Sequence, residues 1–184
     1  MIGEFLLRVT AALDMSGVPY MLTGSVASSM WGIPRSTNDI DIIVAPTRPQ
    51  LLSLLQLFQR LGLHVDPESA LSALRKRDQF NVIDFPNGWK VDFIIQKERE
   101  FSAAEFDRRQ MVETEGMHLT IASPEDVLIA KLEWAKIGDS ERQLIDAAGI
   151  LRMQSEKLDT SYIERWVEAL DLQEQWKAAR AQVD

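Results

Sequence analysis

The sequence contains no cysteine, and this absence excludes several kinds of chemistry at once. Disulfide bonds, zinc sites with thiolate ligands and thiol nucleophiles all require cysteine side chains. Histidine is scarce as well, since the chain has two, His64 and His118, and neither has an evident partner in the surrounding sequence. We interpret both as ordinary polar residues, so the candidate chemistry of this chain lies in other side chains.

Long apolar runs and an excess of positive charge are also missing. No apolar run reaches the roughly 18 residues of a membrane-spanning helix, and the opening residues 1–5 lack the basic start of a signal peptide. A net charge of −8 counts against sequence-independent nucleic-acid binding over the whole surface. We interpret the basic clusters 75–77 and 108–109 as solvated helix ends, with phosphate or RNA contact as the alternative for the first. We expect a soluble, cytoplasmic protein.

The composition is typical of a globular protein, with 46% hydrophobic and 26% charged residues over 184 positions. This length suffices for one substantial domain, or for a compact α/β unit with a helical extension. The sequence has no internal repeat and no low-complexity segment. We expect an α/β domain over residues 1–122 and a C-terminal helical segment over residues 123–184 that packs on it.

Apolar periodicity and turn residues predict alternating helices and strands in the first domain. The turn residues Pro86-Asn87-Gly88 predict a hairpin, in which strand 89–95 returns antiparallel beside strand 79–85. Ser123-Pro124 has the features of a helix start, and helices dominate from there on. The other predicted strands cover residues 20–23, 38–44, 111–115 and 117–121, with a short strand or loop at 63–66; the predicted helices cover 4–16, 26–31, 50–61, 68–75, 101–109, 124–137, 140–153, 160–170 and 172–182.

Two aspartates alternate with β-branched residues in the segment 39–44, which reads Asp-Ile-Asp-Ile-Ile-Val. Side chains two apart on a strand point to the same face with Cα atoms roughly 6.5 to 7 Å apart, so Asp39 and Asp41 face one way. Two aligned carboxylates can share divalent cations, whereas leaving them unneutralised against a core would be expensive. The strand therefore predicts a metal site.

A third carboxylate, Asp92, lies at a mid-strand position in the return strand of the predicted hairpin. There Lys90, Asp92 and Ile94 share one face, because alternate residues of a strand point the same way. Asp92 is therefore a candidate member of the metal site. The alternative is a solvent-facing residue on an edge strand.

Gly24-Ser25 follows a predicted strand and opens a predicted helix. Backbone N–H groups and the helix dipole favour a phosphate at such a place, where glycine allows close approach and serine adds a hydroxyl donor. Gly-Ser turns are common, and no Gly-Lys-Thr or Gly-Lys-Ser follows to make a P-loop. Joined to the Asp39–Asp41 strand at this spacing, however, the pair predicts a phosphate cradle and a dicarboxylate metal site at the carboxyl edge of one sheet.

Residues 22–44 resemble the signature of the nucleotidyltransferase superfamily with the DNA polymerase β-like fold. That signature is a hydrophobic residue, Gly, Gly or Ser, a short spacer, and then Asp-hydrophobic-Asp/Glu-hydrophobic. More narrowly, Gly24-Ser25, the segment 35–41 and the C-terminal helical part resemble small bacterial nucleotidyltransferases related to toxins of the AbiEii/MenT type. The resemblance implies an α/β (α+β) fold with a mixed β-sheet flanked by helices, in which residues 1–122 are the catalytic domain.

The resemblance also implies roles for individual residues. Asp39, Asp41 and Asp92 would hold Mg²⁺ or Mn²⁺, and Asp92 would accept the proton of the attacking hydroxyl. Gly24 and Ser25 would hold the β- and γ-phosphates of a nucleoside triphosphate. The acceptor would then attack the α-phosphate in line while pyrophosphate leaves.

Three further candidates for nucleotide binding are Arg35, Thr37 and Lys131. Arg35 and Thr37 precede the acidic strand, and they either steer phosphate or cap and bridge the backbone. Lys131 interrupts the apolar stripe of the helix that starts at residue 124, where a lysine usually snorkels to solvent. The resembling families carry a lysine there that faces the triphosphate, so we include Lys131 among both the catalytic and the nucleotide-binding candidates.

Asp146 has two interpretations. At position i+4 from Arg142 it is the expected partner of an ion pair within the helix. In the toxin-like relatives the corresponding helix bears a basic residue followed by two aspartates. In this chain Gln143 occupies the position of the first of those aspartates. The resemblance therefore leaves Asp146 as a nucleotide-binding candidate.

We expect a metal-dependent nucleotidyltransferase that moves a nucleoside monophosphate from a triphosphate to a hydroxyl or phosphate acceptor. RNA such as a tRNA end, a small molecule such as an aminoglycoside, and a protein side chain all stay open as acceptors, because fold does not determine substrate. The alternative is a catalytically silent nucleotide-binding module, or one component of a toxin–antitoxin pair with an antitoxin-like partner. A structural helical adaptor built from residues 124–184 would leave the acidic strand unexplained.

Overall fold

Helices and strands alternate in the first part of the chain, and only helices follow. The computed structural model describes residues 2–37, 39–114 and 116–183. None of the described helices has the length and apolar character that crossing a lipid bilayer requires. The strands are β1 (Tyr20–Thr23), β2 (Asp39–Val44), β3 (His64–Val65), β4 (Gln79–Asp84), β5 (Trp89–Ile95), β6 (Gln110–Thr114) and β7 (Met117–Ile121). The helices are α1 (Ile2–Ser16), α2 (Gly24–Trp31), α3 (Arg48–Arg60), α4 (Pro67–Lys76), α5 (Glu100–Asp107), α6 (Pro124–Gly138), α7 (Glu141–Gln154), α8 (Thr160–Ala169) and α9 (Gln173–Ala181), with a 3₁₀ turn at Ser155–Lys157.

The strands form one mixed sheet in the order β3-β4-β5-β2-β1-β7-β6. β2 pairs in parallel with β5, and β1 pairs in parallel with β7. The β3–β4, β4–β5 and β6–β7 pairs are antiparallel, so the predicted hairpin of β4 and β5 is confirmed. The predicted fold class, a mixed sheet with flanking helices, is confirmed as well.

Most predicted elements differ from the observed ones by one or two residues at their ends, and one of these shifts concerns a candidate site. The helix predicted from residue 26 begins at Gly24, so Gly24 and Ser25 form the first turn of α2 and Thr23 is the cap residue. Gly24 has a φ of +61°, a conformation that glycine adopts without steric cost. Asn38 and Glu115, the ends of two predicted strands, lie outside the described residues.

The chain divides into two compact units. The first comprises Met1–Leu22 and Thr37–Ile121, and the second comprises Thr23–Ser36 and Ala122–Asp184. The second unit therefore joins α2 to the C-terminal helices, whereas the predicted domain boundary puts α2 in the N-terminal domain. The predicted boundary after residue 122, as a boundary between domains, stays a prediction.

In the first unit, buried residues alternate along β2 and β5 and form an apolar face. The ring of Phe93 lies at the centre of this core, 5.2 Å from the ring of Phe80 and 5.5 Å from that of Phe58 in α3. Because alternate side chains point to opposite faces, the aspartates of both strands lie on the other face. The buried residues of the two strands are Ile40, Ile42, Val44, Val91, Phe93 and Ile95.

In the second unit, hydrogen bonds tie α2 to the C-terminal helices. The indole Nε1 of Trp31 donates to the carbonyl of Ala122 at 2.9 Å, and Gln154 Nε2 donates to the carbonyl of Trp31 at 2.8 Å. These partners are distant in sequence, which is why local patterns assign α2 to the N-terminal domain.

The start of α6 is fixed by a buried polar network in the same unit. Ser123 Oγ accepts a hydrogen bond from the backbone N–H of Asp126 at 3.2 Å, which confirms the predicted helix start. The carboxylate of Asp126 accepts one hydrogen bond from Ser123 Oγ and another from the hydroxyl of Tyr162 in α8, both at 2.6 Å. The network anchors the helix that carries Lys131.

Gly32→Ala is expected to destabilise the protein by about 1–3 kcal/mol, because an added methyl group would overpack this site. A Cβ atom at Gly32 would lie 2.9 Å from Ser28 O and 2.9 Å from Ile150 N, and both are backbone atoms. Gly138→Ala in α6 is the matched control, since its Cβ atom would lie 3.9 Å from Ser140 Cβ and alanine favours helix. Urea unfolding followed by circular dichroism measures both changes. Equal stability of the two variants would contradict the close packing at Gly32.

Candidate functional site

Acidic side chains from two neighbouring strands share one face of the sheet in the first unit. The parallel register of β2 and β5 places Asp41 beside Asp92 and Asp39 beside Lys90. The side chain of Asp39 is 60% exposed and that of Asp92 is 16% exposed, whereas Asp41 is half-buried. The structure therefore brings the three predicted metal ligands to one surface, which we call the carboxylate face.

Lys90 also belongs to the carboxylate face. Its Nζ atom lies 3.0 Å from Asp92 Oδ2 and 3.5 Å from Asp39 Oδ1. The hydrogen bond to Asp92 raises the pKa of Lys90 above its ordinary value and outweighs the lowering by burial, and the charges of both aspartates raise it further. The ammonium group of Lys90 thus bridges the carboxylates of Asp39 and Asp92. Alternation along β5 is enough to predict that Lys90 and Asp92 share a face. The pairing of Lys90 with Asp39 could not be predicted without knowing that β2 and β5 are neighbours in the sheet.

Asp92 has one oxygen that the described residues leave without a partner. Its Oδ2 pairs with Lys90, whereas its Oδ1 is buried and accepts no hydrogen bond among those residues. A buried carboxylate oxygen in this state is destabilising unless a ligand supplies a positive charge or a donor.

A second buried carboxylate in the same unit shows the opposite situation. Asp84 is 2% exposed, and both of its oxygens accept hydrogen bonds from Asn87 Nδ2 at 3.1 Å. Its Oδ2 also accepts a hydrogen bond from Arg8 Nη1 at 2.9 Å. The carboxylate of Asp84 is therefore fully paired, in contrast to that of Asp92, whose role as a site residue stays a prediction.

The donor set of the carboxylate face suits a hard divalent cation. Mg²⁺ and Mn²⁺ prefer carboxylate oxygens, and the unpartnered Oδ1 of Asp92 is one such oxygen. Within the ranges 2–37, 39–114 and 116–183, no three acidic or histidine side chains converge closely enough to hold an ion. The carboxylate oxygens of Asp39, Asp41 and Asp92 would suit such a metal in their chemistry, and the ammonium group of Lys90 now pairs with two of these side chains.

Four predicted nucleotide-binding residues form a second group, in the second unit. Arg35 donates from Nε to Asp146 Oδ1 and from Nη2 to Asp146 Oδ2, both at 3.0 Å, and Nη2 also donates to Ser25 Oγ at 2.5 Å. Lys131 Nζ donates to Asp146 Oδ2 at 2.8 Å. We call Ser25, Arg35, Lys131 and Asp146 the Arg35 cluster. It contains two cations and one carboxylate, so its net charge is positive.

Asp146 is the shared anion of the Arg35 cluster. Burial acts to raise the pKa of Asp146, but the hydrogen bonds from Arg35 and Lys131 outweigh it and hold this pKa below the ordinary value. The carboxylate is therefore ionised and orients both cations. Arg35 Nη1 is buried and, among the described residues, donates no hydrogen bond from either of its two N–H groups.

The structure bears on the non-functional interpretations of Lys131 and Asp146, whereas the nucleotide-binding role of both residues stays a prediction. The Lys131 side chain is 5% exposed and ends on Asp146, so it does not snorkel to solvent. The described residues contain no ion pair between Arg142 and Asp146, because Arg142 is exposed and Asp146 faces the interior. Arg35, the partner of Asp146, is 111 residues away from it in the sequence. Helical spacing therefore could not predict this pairing.

Thr37 caps the start of the acidic strand. Its Oγ1 accepts a hydrogen bond from the backbone N–H of Asp39 at 3.3 Å and donates one to the carbonyl of Asp39 at 3.1 Å. The backbone-capping interpretation therefore has a structural basis, and the phosphate-steering role of Thr37 stays a prediction.

Comparison with solved structures identifies the architecture. The chain has the nucleotidyltransferase fold. The solution structure of the antibiotic-resistance factor ANT(2'')-Ia matches it with a TM-score of 0.59 and 13% identity, over 96% of this chain and 94% of that chain. An antigenic nucleotidyltransferase-like protein from Paracoccidioides brasiliensis matches with a TM-score of 0.55 and 16% identity, over 94% and 91% of the two chains. The lincosamide antibiotic adenylyltransferase LnuA, bound to lincomycin, matches with a TM-score of 0.54 and 13% identity, over 80% and 95%.

No protein-family model and no curated protein matches the chain. At these identities the likeness to solved structures establishes the nucleotidyltransferase fold alone. The predicted fold is thereby confirmed, and the narrower resemblance to AbiEii/MenT-type toxins stays a prediction.

Asp146→Ala is expected to destabilise the protein, because two cations lose the carboxylate that they share. Breaking a buried ion pair from one side costs about 3–5 kcal/mol. Glu98→Ala is the control, since Glu98 pairs with Arg77 at 2.5 Å but its side chain is 78% exposed, and exposed pairs contribute little. Chemical unfolding at neutral pH measures both variants. A loss of similar size in both would show that Asp146 does not hold the cluster together.

The contribution of Asp146 to the free energy of unfolding is also expected to depend on pH. Because its pKa in the folded state lies below the ordinary value of 3.8, the ionised form stabilises the fold above pH 3.8. This stabilisation is lost as the pH falls through the lower, folded-state pKa. Asp146→Asn removes the titrating group, so the stability difference between wild type and variant should shrink on acidification. A difference that stays constant down to the acid limit would refute the ionised state of Asp146.

Proposed function

We propose that the chain is a metal-dependent nucleotidyltransferase, which transfers a nucleoside monophosphate from a triphosphate to a hydroxyl or phosphate acceptor. The carboxylate face carries this proposal, above all the buried Asp92 oxygen that the described residues leave without a partner. The nucleotidyltransferase fold supports it. Because nucleoside triphosphates are cytoplasmic metabolites, we propose a cytoplasmic location for the protein.

Asp39, Asp41 and Asp92 are proposed to hold Mg²⁺ or Mn²⁺. When bound, the metal neutralises charge on the attacking and leaving oxygens of a phosphoryl transfer. Asp92 is proposed to accept the proton of the acceptor hydroxyl, because a mostly buried carboxylate beside the nucleophile can act as a general base.

The triphosphate is assigned to residues of the second unit. The first-turn N–H groups of α2, at Gly24 and Ser25, favour phosphate through the helix dipole. Arg35 and Lys131 supply positive charge, and the unpartnered Nη1 of Arg35 supplies a donor. Asp146 then acts through these two cations, because a carboxylate would repel a phosphate at close range. Its assignment to nucleotide binding is thus indirect.

The proposed acceptor is the hydroxyl group of a small molecule. ANT(2'')-Ia is described as an antibiotic-resistance factor and LnuA as a lincosamide antibiotic adenylyltransferase. The acidic balance of the chain, with a net charge of −8, weighs against a long RNA acceptor lying across its surface. Antibiotics with free hydroxyl groups are therefore the first acceptors to test, before tRNA and protein.

Labelling with each radioactive nucleoside triphosphate and Mg²⁺ or Mn²⁺ tests the reaction. Aminoglycosides and lincosamides serve as the first acceptors, followed by bulk tRNA and extract proteins. We expect Asp39→Asn, Asp41→Asn and Asp92→Asn each to lower labelling by at least about a hundredfold, as loss of a metal ligand or general base does.

Asp107→Asn is the matched control, because Asp107 is an exposed carboxylate at the end of α5 in the same unit. It should label as wild type does. Labelling that survives in Asp92→Asn would exclude the proposed base. Metal-dependent nucleotide binding by calorimetry without any labelling would favour the silent nucleotide-binding or toxin–antitoxin module, and absence of both would refute the enzyme.

A further inference from the structure

A lysine lies among the three aspartates of the carboxylate face. Lys90 is in register with Asp39 on the neighbouring parallel strand, and it is two residues from Asp92 on its own strand. Its ammonium group lies 3.0 Å from one oxygen of Asp92 and 3.5 Å from one oxygen of Asp39. One positive charge therefore bridges two carboxylates that come from different strands.

The two sides of this bridge differ in their freedom to move. The side chain of Lys90 is 36% exposed, whereas that of Asp92 is 16% exposed. A lysine has a flexible four-carbon stem and a strongly hydrated head, so Lys90 can turn its ammonium group into water without moving the strand. Asp92 has a short side chain fixed to a central strand of the sheet. In the pair of Lys90 and Asp92, the ammonium group is therefore the one that can move away.

We propose that Lys90 is the internal counter-cation of the carboxylate face: it holds Asp39 and Asp92 while no metal is bound, and it lowers the affinity of the face for a divalent cation. This inference rests on the metal site of the proposed function. A metal ion that binds the bridged oxygens must displace the ammonium group, and it is repelled by that charge while it remains near. Lys90 therefore stabilises the metal-free protein at the expense of metal affinity.

The test measures Mn²⁺ binding without nucleotide, by electron paramagnetic resonance of the free ion, so it does not depend on turnover. Lys90→Met removes the charge and keeps most of the stem. We expect it to bind Mn²⁺ about tenfold more tightly than wild type and to unfold at a lower temperature when metal-free. Lys90→Arg keeps the charge and should stay near the wild-type Kd.

Lys97→Met is the matched control, because Lys97 is an exposed lysine just beyond β5 and its loss changes the net charge equally. Its Kd for Mn²⁺ should equal that of wild type. Opposite shifts of stability and affinity in Lys90→Met separate this role from a structural one, since a lysine that only maintained the site would lower both. Lys90→Gln provides a second charge-free variant if Lys90→Met does not fold.

Two results would overturn the inference, and they have different consequences for the proposed function. If wild type binds Mn²⁺, Asp92→Asn abolishes that binding, and Lys90→Met has an unchanged or weaker Kd, then the role of Lys90 is wrong and the metal site stands. If neither wild type nor Lys90→Met binds Mn²⁺, the inference fails together with the proposed metal site.

Discussion

Parallel pairing of β2 with β5 is the constraint on which the candidate site depends. This pairing sets Asp41 beside Asp92 and Asp39 beside Lys90. A slip of one residue in either strand would turn its charged residues towards the apolar face and expose its buried ones. The aliphatic and aromatic residues of the core therefore fix the position of the polar groups on the opposite face, and no contact among the aspartates themselves is needed to do so.

The two units hold their charges in complementary ways. The carboxylate face has three aspartates and one lysine, whereas the Arg35 cluster has two cations and one aspartate. An excess of negative charge attracts a divalent cation, and an excess of positive charge attracts phosphate. The proposed function accordingly assigns the metal to the carboxylate face and phosphate to the Arg35 cluster.

Local patterns predicted those features that depend on neighbours in sequence. Alternation identified the acidic strand, Asn87-Gly88 identified the hairpin, and Ser123 identified the start of α6. The partners of Asp146 and the pairing of Lys90 with Asp39 could not be predicted in this way. Both depend on which distant segments meet, and helical or strand spacing carries no information about that. Local chemistry thus predicted the candidate ligands, and tertiary contacts decided which of them are paired.

Asp92 is where stability and the proposed function conflict most directly. Asp84 shows that this unit can pair a buried carboxylate completely, with Arg8 and Asn87 as donors. Asp92 has Lys90 on one oxygen and, among the described residues, nothing on the other. A donor on that oxygen would stabilise the fold but would occupy the position of a ligand. A cation that binds there stabilises the folded state by mass action instead, so the missing donor links the stability of the unit to its proposed metal.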